Sequence, residues 1–229
     1  EGDFWIRILY THPQHVSNDL LEMFSRSPHL VPYLDMPLQH ISDRVLKSMH
    51  RAPDGAGTRR LLEHVRATCP NVAIRTTFIV GYPGETEADF VELLDFVRES
   101  RFERLGVFAY SPEEGTPAAE ITAGIVPPQV ANERRAALLE VQRDIALQHN
   151  QALVGRTLTV IADQATDATH IAARTQADAP EVDNLVHIEA DPDCIERGFL
   201  TVRITGADPY DLQAVLLNGT TSGMATQNR

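Results

Sequence analysis

The stretch AIRTTFIVGYPGET, at residues 73–86, predicts the fold of the first part of this 229-residue chain. Its first eight residues are rich in branched and aromatic side chains, as in a strand buried inside a sheet. Gly81–Gly84 then predicts a turn, and Thr86 with Asp89 resembles the capping box that begins a helix. A strand that runs through a tight turn into a helix is typical of parallel sheets with crossover helices.

Three further strand patterns repeat this arrangement on both sides of residues 73–86. They cover Phe4–Tyr10, Tyr33–Met36 and Leu105–Tyr110, and helical patterns separate them. The helices are predicted at Asp43–His50, at Thr58–Thr68, after Thr86, and from Pro127 towards Val154. The alternation predicts an α/β fold for residues 1–153, with four parallel strands of a TIM-like barrel.

The pattern changes at Arg156, beyond which short strands follow one another without a helix of useful length between them. Short strands separated by turn residues predict a small antiparallel β-barrel at residues 154–217. The strands are expected at Thr157–Ala162, Thr169–Arg174, Leu185–Glu189, Phe199–Thr205 and Tyr210–Leu217. Residues 218–229 are polar and lack periodicity, which predicts a disordered tail.

Composition excludes several classes of protein. With 43% hydrophobic and 23% charged residues, the chain can bury a core and is not disordered overall. No apolar run reaches the roughly 18 residues that a membrane span needs, and no signal peptide begins the chain, so we expect a cytoplasmic protein without a membrane partner. The two cysteines, Cys69 and Cys194, form neither a disulfide framework nor a metal-binding CxxC motif.

The formal charge of -12 argues against broad nucleic-acid binding and favours a basic partner. Residues 1–152 hold 15 Lys and Arg against 21 Asp and Glu, a net charge of -6. Residues 153–229 hold 5 against 11 and also carry -6, in about half the length. The terminal barrel is therefore the more acidic part per residue.

In parallel α/β barrels the functional site lies at the carboxyl ends of the strands. Those ends are four polar segments cut by Pro or Gly: Tyr10–Pro13, Pro37–His40, Gly81–Thr86 and Tyr110–Glu114. The glycines of the third segment allow a ligand to approach the backbone closely, although a tight turn with a helix cap needs no ligand. Gln39 and His40 are equally explained as a hydrogen-bonded pair at a strand end.

Arg75 and Thr77 point to the same face of their strand because side chains alternate along it. An arginine directed into a barrel interior needs an anionic partner, since an unpaired buried charge is costly. A ligand carboxylate would serve, and so would Asp35 or Glu85. The sequence leaves these alternatives open.

Three motifs together resemble the radical S-adenosylmethionine (SAM) methylthiotransferases: YLDMPLQH at 33–40, the stretch at 73–86, and FAYSPEEGT at 108–116. The barrel after Val154 resembles the TRAM domain that closes these enzymes. Within the family, DAPEVD at 178–183 and YSPEEGTP at 110–117 are similar to the RimO type. The resemblance implies the last four strands of a radical SAM barrel followed by a TRAM barrel.

Enzymes of the RimO type add a methylthio group to the β-carbon of an aspartate in a small-subunit ribosomal protein, and the resemblance implies this activity. The sibling MiaB type modifies an adenosine in tRNA, which is the alternative substrate. A non-catalytic module that binds a ribosomal protein or RNA is a further alternative. A barrel that grips RNA should be positive, so the charge of -6 favours a basic ribosomal protein over tRNA.

The resemblance also implies a SAM site, carried over only where residues match. The side chains expected near the methionine and ribose parts of SAM are Gln39, Arg75 and Thr77. Those expected near the adenine are Ile79, Gly81, Phe108 and Tyr110.

The family's [4Fe–4S] clusters need thiolates, and the CxxxCxxC motif that binds one of them is absent from this sequence. The cluster loop, two further strands and an amino-terminal domain are expected to precede Glu1. We therefore expect this chain to be the carboxyl-terminal portion of the enzyme, with no metal ligand or catalytic residue of its own, and inactive alone.

Overall fold

A four-stranded parallel sheet forms the centre of the first part of the chain, in a computed structural model that describes residues 3–217. Its strands are β1 (Ile6–Ile8), β2 (Leu30–Asp35), β3 (Ala73–Val80) and β4 (Arg104–Ala109), and they lie side by side in chain order. The helices are α1 (Asn18–Arg26), α2 (Asp43–Ser48), α3 (Gly55–Thr68), α4 (Glu87–Ser100) and α5 (Pro128–Gln151). The predicted α/β class with parallel strands is confirmed. The tail predicted at 218–229 lies outside the described residues.

Strand β3 separates a packed face of the sheet from a more open one. Ile74, Thr76, Phe78 and Val80 are buried, whereas the alternating residues 75, 77 and 79 are only half-buried. On the packed face the ring of Phe78 meets two further rings edge-on, with centroids 6.2 Å from that of Phe96 and 5.8 Å from that of Phe102. Any site built on this sheet must therefore use the opposite face.

The first two strands of the sheet differ from expectation in their bounds. Strand β1 is shorter than Phe4–Tyr10, because Tyr10 leaves the extended conformation with φ +58° and donates its amide to Asp35 Oδ2 at 3.0 Å. Strand β2 begins three residues earlier than predicted and includes Pro32, a residue that weakens a strand pattern. Pairing with β3 begins only at Tyr33, so Pro32 does not interrupt that ladder.

The second unit of the chain, which begins at Asn150, is a closed five-stranded barrel. Its strands are β5 (Thr157–Ala165), β6 (His170–Arg174), β7 (Val186–Glu189), β8 (Phe199–Ala207) and β9 (Leu212–Leu216), in the order β5-β6-β7-β9-β8. The pairing differs from the prediction at one place, since β7 and β9 run parallel. After β7, the chain passes through the 3₁₀ turn Pro192–Arg197 and enters β8, which pairs with β5 and not with β7. Strand β9 follows β8 and pairs with it, so the barrel closes where β9 meets β7.

Among residues 3–217, none of the helices combines the length and the apolar character that a membrane span needs.

The start of α4 is fixed by a buried carboxylate. Thr86 and Asp89 form the predicted capping box, each side chain accepting from the other's backbone amide. Asp89 also accepts a hydrogen bond from Ser42 Oγ at 2.6 Å and pairs with Arg44. Burial alone would raise the pKa of Asp89, but the hydrogen bonds from Ser42, Thr86 and Arg44 outweigh burial and lower the pKa below its ordinary value.

We expect Asp89→Asn to lower the free energy of unfolding by about 2 kcal/mol at neutral pH, because it weakens a charge-assisted hydrogen-bond network. The control is Asp95→Asn, whose carboxylate only pairs with Arg98 on an exposed helix face and should cost less than about 0.5 kcal/mol. Urea unfolding followed by helical circular dichroism measures both.

The effect of Asp89→Asn should also depend on pH. Because folding lowers the pKa of Asp89, its stabilisation is complete above the unfolded-state value of 3.8 and is lost as the pH falls towards the folded-state value. The difference between wild type and Asp89→Asn should therefore narrow in acid. A difference of equal size at about pH 7 and about pH 2.5 would contradict this assignment.

Candidate functional site

Two adjoining cavities lie on the open face of the sheet, where the carboxyl ends of the strands meet. The larger, about 550 Å³, we call the apolar cavity; its walls include Ile79, Tyr82, Phe108 and Tyr110. The other, about 460 Å³, we call the basic cavity, and its lining comprises Tyr10, Thr11, His12, Pro37, Gln39, Arg51, Arg75, Thr77 and Phe108. Gln39, Arg51 and Phe108 line both cavities and so mark their junction.

Six of the seven residues predicted for a SAM site line these two cavities. Gln39 lies at the junction together with Phe108, and Arg75 and Thr77 line the basic cavity. Ile79 and Tyr110 line the apolar cavity. The structure therefore brings together side chains along β3 with side chains at or just beyond the carboxyl ends of β2 and β4, up to 71 positions apart in the sequence (39 to 110).

Gly81 is the predicted site residue that lines neither cavity. It lines a separate apolar cavity of about 250 Å³ next to α5. Its φ is +75°, and a Cβ atom there would lie 2.4 Å from Cβ of Ala131. The amides of Gly81 and Tyr82 both donate to Glu85 Oε2. The turn and the packing against α5 thus require glycine at this position. This agrees with the explanation that needs no ligand, a tight turn followed by a helix cap.

Arg75 has an ionic partner within the protein. Its Nη1 lies 3.0 Å from Oδ1 of Asp35, which is 1% exposed, and this pairing is one of those left open above. The other carboxylate considered, Glu85, lies instead 3.4 Å from Arg134 Nη1. His40 is fully buried behind the strand ends, where its Nδ1 accepts the amide of Ser42 at 3.0 Å. Its Nε2 has no hydrogen-bond partner within residues 3–217, so these contacts satisfy only one nitrogen of the ring.

Arg51 is a functional candidate that sequence reasoning missed. Its side chain lines both cavities, and within residues 3–217 it makes no hydrogen bond or ion pair. The basic cavity is thus lined by two guanidinium groups and no carboxylate, although the whole chain carries -12. An unpaired cation at the wall of a cavity favours an anionic ligand. The only sequence signal was a basic residue between a helix and a Pro/Gly loop.

Two buried hydroxyl groups at the cavity walls lack hydrogen bonds within residues 3–217. They are Thr11 Oγ1 in the basic cavity and the Tyr110 hydroxyl in the apolar cavity. Burial raises the pKa of Tyr110, and the nearby Tyr82 and Glu113 raise it further. The hydroxyl group therefore stays protonated and able to donate a hydrogen bond. A buried hydroxyl without a partner costs roughly 1–3 kcal/mol, which a ligand could recover.

Backbone strain is concentrated at the same place. Tyr10 (φ +58°), Gln39 (φ +72°) and His50 (φ +53°) all line the cavities, and only two other non-glycine residues of the described chain, Arg101 and Glu181, have positive φ. Strained residues of this kind cluster at functional sites, where the surrounding structure holds them in place.

Comparison with known proteins gives a class consistent with this fold and site. Residues 4–97 match the Radical SAM superfamily and residues 154–217 match the TRAM domain. Coproporphyrinogen III oxidase HemN from Escherichia coli, a radical SAM enzyme, aligns structurally over 64% of this chain and 32% of its own, with 23% identity and a TM-score of 0.49.

More specific relatives carry the name ribosomal protein uS12 methylthiotransferase RimO. The protein from Desulforudis audaxviator is 45% identical over 218 residues, which is 95% of this chain and 48% of that protein. The one from Anaeromyxobacter sp. (strain K) is 47% identical over 214 residues, 93% of this chain and 45% of that protein. By sequence, the chain belongs to the radical SAM methylthiotransferase family of the RimO type, and it spans about half the length of the curated relatives it matches.

Replacing Gly81 should test the structural role assigned to it. Gly81→Ala is expected to destabilise the protein by about 3 kcal/mol or more, because it adds left-handed strain and a clash with Ala131. The matched control is Gly115→Ala, which has φ +79° but no atom within 4 Å of the added Cβ, and should cost about 1 kcal/mol. Equal melting temperatures for the two variants would refute the packing argument.

Proposed function

We propose that this chain supplies the SAM-binding and substrate-binding surfaces of a RimO-type radical SAM methylthiotransferase, which adds a methylthio group to the β-carbon of an aspartate in a small-subunit ribosomal protein. The observation that carries the proposal is the pair of adjoining cavities, one apolar and one basic, at the carboxyl ends of the parallel strands. SAM has the matching polarity, with a flat adenine at one end and a charged amino acid at the other.

The residues present fit SAM in a definite orientation. The adenine would occupy the apolar cavity, against Ile79 and Phe108, with the buried Tyr110 hydroxyl available to a polar edge. The ribose and methionine parts would pass the junction at Gln39 into the basic cavity, where Arg75 and Thr77 lie. SAM supplies the methyl and adenosyl groups that the family's chemistry uses.

Arg51 is better placed than Arg75 to bind the methionine carboxylate. Arg75 is already held by the buried Asp35, so its charge is largely balanced within the protein. The guanidinium of Arg51 is unpaired within the described residues and lies where the two cavities join. Arg75 would then contribute hydrogen bonds and shape to the pocket, and Arg51 the counter-charge.

The residues present do not fit an iron–sulfur cluster. The chain has two cysteines; Cys69 is buried in the core around the parallel sheet and Cys194 in the core of the barrel. Neither lines the two cavities. We propose that the cluster ligands of the family belong to a part of the enzyme outside this chain, and that this chain alone is inactive.

The acidic barrel supports a basic protein as the partner. Within residues 150–217, only Asp163 and Glu189 among the eleven acidic residues lie in strands; the others occupy the connections. Several are exposed, including Glu181, Glu189 and Glu196. Such a surface attracts a basic ribosomal protein and repels the phosphates of tRNA.

The SAM assignment predicts a selective effect of Arg51→Ala. In the full-length enzyme with its clusters reconstituted, the affinity for SAM should fall about 10- to 100-fold, the value of a charge-assisted hydrogen bond. Binding of 5′-methylthioadenosine, which has no carboxylate, should be unchanged, as isothermal titration calorimetry can show.

A control for this experiment is Arg60→Ala, because Arg60 is exposed on α3 and lines neither cavity. Equal losses for SAM and 5′-methylthioadenosine in Arg51→Ala would show that Arg51 does not bind the carboxylate. Unchanged affinity for both would place the methionine end elsewhere.

Charge reversal on the barrel tests the partner. Glu181→Lys with Glu189→Lys should slow association with the ribosomal protein roughly tenfold at low salt, and less at high salt, because exposed charges act through a screened field. The control pair Glu92→Lys with Glu140→Lys changes the net charge equally, but on exposed positions of α4 and α5. Equal slowing by both pairs of substitutions would indicate that only the net charge of the chain matters. Methylthiolation of tRNA instead of the ribosomal protein would refute the proposal of a protein substrate.

A further inference from the structure

The end of strand β1 forms a part of the basic cavity that the SAM assignment leaves unused. Tyr10, Thr11 and His12 line the basic cavity but not the apolar one. Strand β1 is the edge of the sheet and β4 lies at the opposite edge. With the adenine on the β4 side and the methionine part beside Arg51, Arg75 and Thr77, the β1 end of the basic cavity remains for the second reactant.

Thr11 presents a hydroxyl group without a partner to this part of the cavity. The residue is only 9% exposed, and within residues 3–217 its Oγ1 makes no hydrogen bond. Its backbone amide donates to the carbonyl oxygen of Asp35 at 2.8 Å, which fixes the backbone from which the side chain projects. A buried hydroxyl in a fixed position without a partner points to a polar ligand atom next to it.

His12 adds a second uncharged donor. Its Nδ1 accepts the amide of Gln14 at 3.3 Å, which leaves the ring proton on Nε2. Burial, and then the neighbouring Arg51 and His15 side chains, lower the pKa of His12, so the ring is neutral at pH 7. Thr11 and His12 thus offer one O–H and one N–H donor on the β1 side of the basic cavity.

We propose that Thr11 and His12 bind the side-chain carboxylate of the substrate aspartate through one O–H and one N–H donor. Two donors in a cavity lined by guanidinium groups and no carboxylate suit an anion with two oxygens. The adenosine of a tRNA substrate carries no such charge on its base. This inference rests on the proposed function and identifies the group by which the substrate is recognised.

The test uses the full-length, cluster-reconstituted enzyme with the small-subunit ribosomal protein as substrate. Thr11→Val removes the hydroxyl at nearly constant shape and should raise KM for the ribosomal protein about tenfold, with the affinity for SAM unchanged. Thr11→Ser restores the hydroxyl and should restore KM. His12→Phe removes the N–H donor and should act like Thr11→Val, whereas His15→Phe is the matched control because His15 is exposed and lines neither cavity.

A second substrate shows whether the carboxylate itself is recognised. When the target aspartate is replaced by asparagine, the wild-type enzyme should bind the ribosomal protein about tenfold more weakly, and Thr11→Val should reduce this difference. An unchanged KM for the ribosomal protein in Thr11→Val would overturn the assignment of Thr11 to the substrate carboxylate. So would a loss of SAM affinity equal to the loss for the protein. In both cases, methylthio transfer by the wild type would still support the proposed function. If the wild type transferred no methylthio group to the protein, both would fall.

Discussion

The buried carboxylate of Asp35 is the interaction on which the arrangement of this site depends. It lies at the carboxyl end of β2, 1% exposed, with one oxygen on Arg75 of β3 and the other on the amide of Tyr10, just beyond β1. One carboxylate of β2 therefore contacts both β3 and the segment that follows β1. Removing it would leave Arg75 without its buried counter-charge, a change that typically costs about 3–5 kcal/mol. The pair also directs Arg75 towards the cavity and turns the chain so that Thr11 and His12 reach the same space.

This geometry requires unusual backbone at two of the strand ends. Tyr10 meets Asp35 only with a positive φ, and Gln39 also has a positive φ where its backbone bridges β3, donating to the Thr77 carbonyl oxygen and accepting from the Ile79 amide. The strained backbone conformation of each such residue costs on the order of 1–3 kcal/mol, and the surrounding hydrogen bonds offset this cost. In return, Gln39 reaches the junction of an apolar and a basic cavity from a position that regular strand geometry would not provide.

Local signals explain which parts of this structure could be read from the sequence. Strand β3 was predicted residue for residue because its composition and the Gly/Pro turn that follows are both local. The bounds of β1 could not be predicted, since it ends where Asp35, 25 positions later, takes the amide of Tyr10. The partner of Arg75 depended on register: Asp35 faces it across the ladder, and no pattern in the sequence states that. Arg51 could not be predicted as a site residue, because loop residues show no periodic pattern in the sequence. Its position at the cavities depends on the path of the chain after α2, which only the structure gives.

Charged groups in this protein act over two different distances, and the distance depends on how buried each group is. At the strand ends the guanidinium groups lie in partly enclosed cavities, where the effective dielectric is low and each contact depends on geometry. On the barrel most of the carboxylates are exposed, so salt screens each charge within about 8 Å and only their sum reaches a partner. A net charge of -12 is therefore compatible with a basic binding cavity. In the proposed function, the exposed acids would attract a basic protein without specifying a residue, and the choice of one side chain would depend on buried groups such as the Thr11 hydroxyl, which has no hydrogen-bond partner within residues 3–217.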